Sequence, residues 1–83
     1  MPLYADDPDV NVVFPITDSQ GGDLSWSAVV KAGEASITAA WVGNPGPTRN
    51  LRVPLSSLPV GMHRLRLVVP GDNDVSLGNV VLV

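Results

Sequence analysis

The chain has 83 residues, 45% of them apolar, with a formal net charge of −3, eight Gly, eight Pro and no Cys. Fourteen residues are Val, and Glu and Lys occur once each, which excludes a helical bundle or coiled coil. The apolar content excludes a disordered tail, and the missing thiols exclude a disulfide-stapled module.

The length fits one domain. A domain this small buries only about 60% of the surface its unfolded chain exposes. Self-association is therefore expected to add to a thin core. The acidic balance speaks against nucleic acid as the main partner. No apolar run approaches the roughly 18 residues of a membrane span. Met1-Pro2-Leu3-Tyr4-Ala5-Asp6-Asp7 lacks the pattern of a signal peptide, so synthesis in a cytoplasm is expected.

Residues 1–9 read as an extended arm, bracketed by Pro2 and Pro8 and charged by Asp6, Asp7 and Asp9. It is either a frayed terminus or a partner-binding arm with Leu3 and Tyr4 as anchors. In the second case the arm contacts other chains rather than its own core, because its carboxylates resist burial. The Asp residues would then stay at the rim or meet Arg49, Arg52, Arg64 or Arg66.

Residues 10–16 form the first predicted strand, with Val10, Val12 and Phe14 on one parity and Pro15 ending the pairing or marking a sheet edge. Gly21-Gly22 lies in a turn over 17–23. Residues 24–31 alternate with Leu24, Trp26, Ala28 and Val30 on one face and Ser25 and Ser27 on the other. After a tight link at Ala32-Gly33-Glu34, Ile37, Ala39 and Trp41 repeat that alternation over 35–42, which predicts a hairpin. Trp41, at the end of a strand of smaller inward residues, is expected to be buried against an opposing sheet.

Gly43-Asn44-Pro45-Gly46-Pro47 is the strongest loop signal. Residues 49–55 form a short strand that Pro54 places at an edge. After a corner over 56–61, Leu65, Leu67 and Val69 alternate with Arg64 and Arg66 over 62–69. Residues 71–74 turn. The last strand, 75–83, carries Val75, Leu77, Val81 and Val83 on one parity and Val80 and Leu82 on the other, so it should be covered on both faces or lie against a partner. Six or seven short strands with regular turn signals predict an all-β sandwich or small barrel.

The stretch Leu58-Pro59-Val60-Gly61-Met62-His63-Arg64-Leu65-Arg66-Leu67 resembles the corner entering a late strand of immunoglobulin-like sandwiches, where a Leu, a turn Gly and a Tyr precede alternating apolar residues. His63 stands in the Tyr-like position, where it cannot make the same hydroxyl hydrogen bond. The run from Asp72 to Val83 looks like the last hairpin of that architecture. With the Trp-ending strand at Ala39-Ala40-Trp41, the order is similar to small immunoglobulin-like domains of tailed-bacteriophage virion proteins, of the upper-baseplate type or accessory to tails and capsids. The resemblance spans most of 10–83. It implies an immunoglobulin-like β-sandwich of about seven short antiparallel strands. It also implies a non-enzymatic role in a virion, bound to other virion proteins as a minor tail or capsid-decoration component. It transfers no catalytic or ligand residue.

Candidate chemistry is sparse. His63 is the only imidazole, no Gly-x-Ser-x-Gly elbow accompanies it, and its parity with Leu65 and Leu67 reads as a residue capping the core. No zinc site is expected from one His and no Cys. Asp72-Asn73-Asp74 offers alternating oxygens that suit calcium, but the same residues make ordinary turns. No phosphate-cradling loop is present, and no cofactor is expected. Trp26, Trp41 and Tyr4 leave a glycan- or receptor-binding module as the alternative, although the parity of both Trp favours the core.

Overall fold

The computed structural model describes residues 3–83, and Met1 and Pro2 of the expected arm lie outside the described residues. Six strands follow in order: β1 (Asn11–Thr17), β2 (Ala28–Ala32), β3 (Ala35–Val42), β4 (Thr48–Pro54), β5 (Gly61–Val68) and β6 (Val75–Leu82). All pair antiparallel in one sheet of order β1-β4-β3-β2-β5-β6. There is no helix among the described residues. The sheet is curled and nearly closed, and its inner face carries the core.

The curl centres on β3. Its residues from Ala35 to Ala39 pair with β2, whereas Ala40, Trp41 and Val42 pair with β4. No β3 residue pairs on both sides, so the two neighbours are staggered along it and the sheet bends there. Small residues line the ladder, with Ala32 opposite Ala35 and Ala28 opposite Ala39. Inward Ala28, Ala32 and Ala39 leave room for Leu51, Leu65 and Leu67, all fully or almost fully buried. The β2–β3 turn has only Gly33 and Glu34, with φ +63° at Gly33, the pattern of a type II′ hairpin.

Four sequence expectations are corrected. The alternation from Leu24 holds, with Leu24 and Ala28 buried and Trp26 half-buried, but hydrogen-bonded strand begins only at Ala28. Before it, the Leu24 N–H donates to the Gly46 carbonyl, so the chain pairs with a loop instead of a strand. Second, Pro54 does not mark an edge, because β4 lies between β1 and β3. It is tolerated because pairing with β3 stops at Arg52, which leaves no partner on that side. Pro15, by contrast, lies in an edge strand.

Third, the parity of the last strand changes partway. Leu65 pairs with Gly78 and Arg66 with Ser76, so Leu77 is an extra residue in a bulge, where Gly78 has φ +120°. Leu77, Val80 and Leu82 therefore share the inner face, and Val75, Val81 and Val83 are exposed.

Fourth, the arm is not free of its own core. Leu3 forms a parallel bridge with Leu82, the Val83 N–H donates to the Leu3 carbonyl (2.8 Å), and the Ala5 N–H donates to the Val83 carbonyl (3.0 Å). Leu3 and Ala5 pack against the core. The cause is the free edge of β6, whose backbone groups need partners the arm can supply. Tyr4, Asp6, Asp7 and Asp9 remain exposed.

Deleting residues 1–9 should lower stability by about 2–4 kcal/mol, the worth of two backbone hydrogen bonds and one apolar contact. Urea unfolding of the truncated chain measures this, and an unchanged midpoint would show the arm to be energetically detached. Gly78→Ala should cost about 1–3 kcal/mol. A Cβ at Gly78 meets open space, so the whole loss is backbone strain.

Candidate functional site

Two surfaces gather the residues that could bind something. The first is the outer face of β5 and β6. Met62 lies beside Val81 in the ladder, and both point outward. The bridge from Leu3 to Leu82 sets Tyr4 beside Val83 by the same alternation. Val60 lies just before β5 at the same end. Tyr4, Val60, Met62, Val81 and Val83 are 52–68% exposed, so an apolar stripe crosses three adjacent segments. Scattered exposed apolar residues are ordinary, but a contiguous stripe is a feature of binding surfaces.

Charge borders the stripe at both ends. Beyond Val83 the arm turns through Asp6, Asp7 and Asp9, with Asp7 Oδ1 accepting the Asp9 N–H. At the other end Arg64 stands beside Asn79 and Arg66 beside Ser76. On the far side Arg66 is directly opposite Lys31 of β2. Like charges directly opposite on a sheet are unfavourable. The only relief recorded among the described residues is Asp74, 3.9 Å from Arg66 and solvent-exposed enough to contribute little.

The sequence-derived anchor residues divide between these roles. Tyr4 belongs to the stripe, Asp6 and Asp7 follow it along the arm, and Asp9 lies away from the stripe. Leu3 is turned inward. Of the four Arg residues expected as partners for the arm's carboxylates, Arg49 is already engaged, donating from Nη1 to the Leu24 carbonyl and from Nη2 to the Gly43 carbonyl. Its Nε is buried without a hydrogen-bond partner among the described residues. Arg52 shares a shallow groove with Asp9 on the outside of β4.

The second surface is an open cleft of about 320 Å³ at one end of the sheet, lined by Asp18, Gln20, Trp26, Leu67, Asp72 and neighbouring side chains. Trp26 forms one wall, and its ring meets Trp41 edge to face at 5.2 Å and 86°. The Trp41 Nε1–H donates to the Trp26 carbonyl at 2.8 Å. Trp41 is thus half-buried at the core margin rather than buried against an opposing sheet, since its polar edge is spent on the loop before β2. Asp18 Oδ1 accepts the Gln20 N–H and Asp72 Oδ1 accepts the Asn73 N–H, so both carboxylates shape turns.

His63 is half-buried, with Nε2 2.8 Å from the Pro59 carbonyl oxygen. The imidazole reaches back to the corner it follows through a ring nitrogen, where the resemblance has a hydroxyl. No group of three His, Cys, Asp or Glu side chains arranged to hold a metal ion occurs among the described residues. Comparison with protein-family models, curated proteins and solved structures finds no match to this chain.

The sequence points to the last strand and to Tyr4 as partner-facing but not to the stripe as a whole, because its members come from three segments and the bulge at Gly78 sets which face Val81 takes. Trp41→Phe keeps the ring contact and removes the indole N–H. It should cost about 1 kcal/mol and speed amide hydrogen exchange over residues 24–27. Unchanged exchange there would show that the bond does not hold the loop.

Proposed function

We propose that this chain is a non-enzymatic structural protein of a bacteriophage particle. In this reading it is an immunoglobulin-like module, made in the host cytoplasm, that binds other virion proteins as an accessory tail, baseplate or capsid-decoration component. The apolar stripe from Tyr4 to Met62, on a paired set of strands with charge at both ends, carries the reading. It is the kind of surface that docks another protein, with an apolar centre and a polar rim.

The immunoglobulin-like part rests on connectivity. β1, β4 and β3 adjoin on one side of the curl, and β2, β5 and β6 on the other. That grouping supports reading the fold as a seven-stranded immunoglobulin sandwich without its first strand. The arm along β6 supplies an edge segment in its place. His63 supports the same reading, since in these sandwiches an aromatic side chain at the start of a late strand bonds back to the corner a few residues upstream.

A second reading is a glycan- or receptor-binding module. The observation favouring it is the Trp26 wall of the end cleft beside Asp18, Gln20 and Asp72. The partial burial of Trp26 and the use of both carboxylates in turns rank it below the docking face.

The test is to purify particles from a lysate that expresses the chain. The wild-type chain should co-purify in a fixed ratio to the major structural proteins. Val81→Asp should leave the melting temperature within about 3 °C, as surface substitutions usually do, and should remove the chain from particles. A chain present in the lysate but absent from purified particles would overturn the assignment. Glycan-array binding lost in Trp26→Ala, with particle incorporation intact, would favour the second reading.

A further inference from the structure

We infer that the outer β5–β6 face is a self-complementary surface that joins two copies of this chain about a two-fold axis. The inference rests on the docking-face reading above and names the occupant of that face as a second copy.

The order of side chains along the face is the first argument. From one end to the other it runs from the acidic arm, Asp6 and Asp7, through Tyr4 and Val83, to Met62 and Val81. It then continues to Arg64 and ends at Arg66 and Lys31. Rotation by half a turn about an axis midway between the Met62–Val81 pair and the neighbouring Tyr4–Val83 row reverses that order. Apolar residues then meet apolar residues, and each acidic arm lies over the partner's Arg64 and Arg66. An isologous dimer requires a patch complementary to itself after such a rotation, and this face has an apolar centre with opposite charges at its two ends.

The unrelieved repulsion within each copy is the second argument. Lys31 and Arg66 face each other across the β2–β5 ladder, with only the weak Asp74 contact beside them. A carboxylate from outside the copy relieves that pair. Asp6, exposed and without a side-chain partner among the described residues, is free to provide it.

Area is the third argument. A stable interface takes about 800 Å² from each partner. The five exposed side chains of the stripe offer on the order of 500 Å², the size of the largest patch on a typical monomer, and the charged ends extend it toward the required area. The face closes on itself in a pair, so assembly stops at two.

The experiment is sedimentation velocity on the full chain across a concentration series. Wild type should approach twice the chain mass at roughly 100 µM, in the range of a weak dimer. Arg64→Asp and Asp6→Arg should each weaken the dimer by about tenfold or more, because each creates two like-charge contacts per pair. Mixing these two variants should restore a dimer containing one copy of each, since both contacts then become attractive. All variants should keep the wild-type far-UV circular dichroism and, at a dilution where wild type is monomeric, its melting temperature, which separates lost association from lost folding. A wild-type chain that stays monomeric overturns the dimer, as does a mixture that stays monomeric while wild type dimerises. If wild type is monomeric yet Val81→Asp is still lost from particles, the face docks a different protein, and the docking reading stands without the dimer. If the dimer forms but the chain is absent from particles, the dimer stands and the virion reading falls.

Discussion

The structure depends on how β3 divides its hydrogen bonds. A flat antiparallel sheet of six strands cannot enclose its own apolar face. Because β3 gives its first half to β2 and its second half to β4, the two ends of the sheet turn toward each other. The inner face then becomes an interior, with Leu51, Leu65, Leu67 and Leu82 sealed from water. The alanines at the bend are as necessary as the leucines opposite them, since larger side chains there would hold the halves apart.

Curling leaves two edges, β1 and β6, and the chain treats them differently. β1 carries Pro15, which removes one donor from the row it would present to a neighbour. β6 is covered near its end by the arm. The open seam between Phe14–Thr17 on one side and Val75–Leu77 on the other is what remains of the gap. The two loops at the end of the sheet are pinned by Arg49 and Trp41, which satisfy the carbonyls of Leu24, Gly43 and Trp26 from within. The apolar stripe lies away from both the seam and these loops, on the exterior of β5 and β6.

Much of the fold was legible in the sequence. Alternation located all six strands, because a half-buried antiparallel strand has to show one face to water and one to the core. Proline and glycine located the turns. What alternation could not carry were events of one residue or of long range. A single extra residue at Leu77 moved Val81 and Val83 outside, and nothing in a local pattern distinguishes a bulge glycine from a weak point in a strand. Pro54 was misjudged because a strand can be interior to a sheet yet unpaired on one side at its tip. The arm was misjudged because charge and proline describe the arm, whereas the deciding need belonged to the edge of β6, almost a whole chain away. Of the site, Tyr4 and the three aspartates were legible as exposed and Leu3 was not.

The bridge between Leu3 and Leu82 also has a consequence for the order in which the chain becomes structured. Hairpins such as β2–β3 close short loops and form early, whereas this contact joins opposite ends of the sequence and requires the largest loop closure in the fold. During synthesis the arm leaves the ribosome well before its partner strand. For that interval Leu3 has no pocket and the edge of β6 does not yet exist. Docking of the arm is therefore a late step, reporting that the last strand is in register, bulge included. A chain released before β6 is complete lacks that closing contact and keeps both the arm and the neighbouring edge open to other molecules.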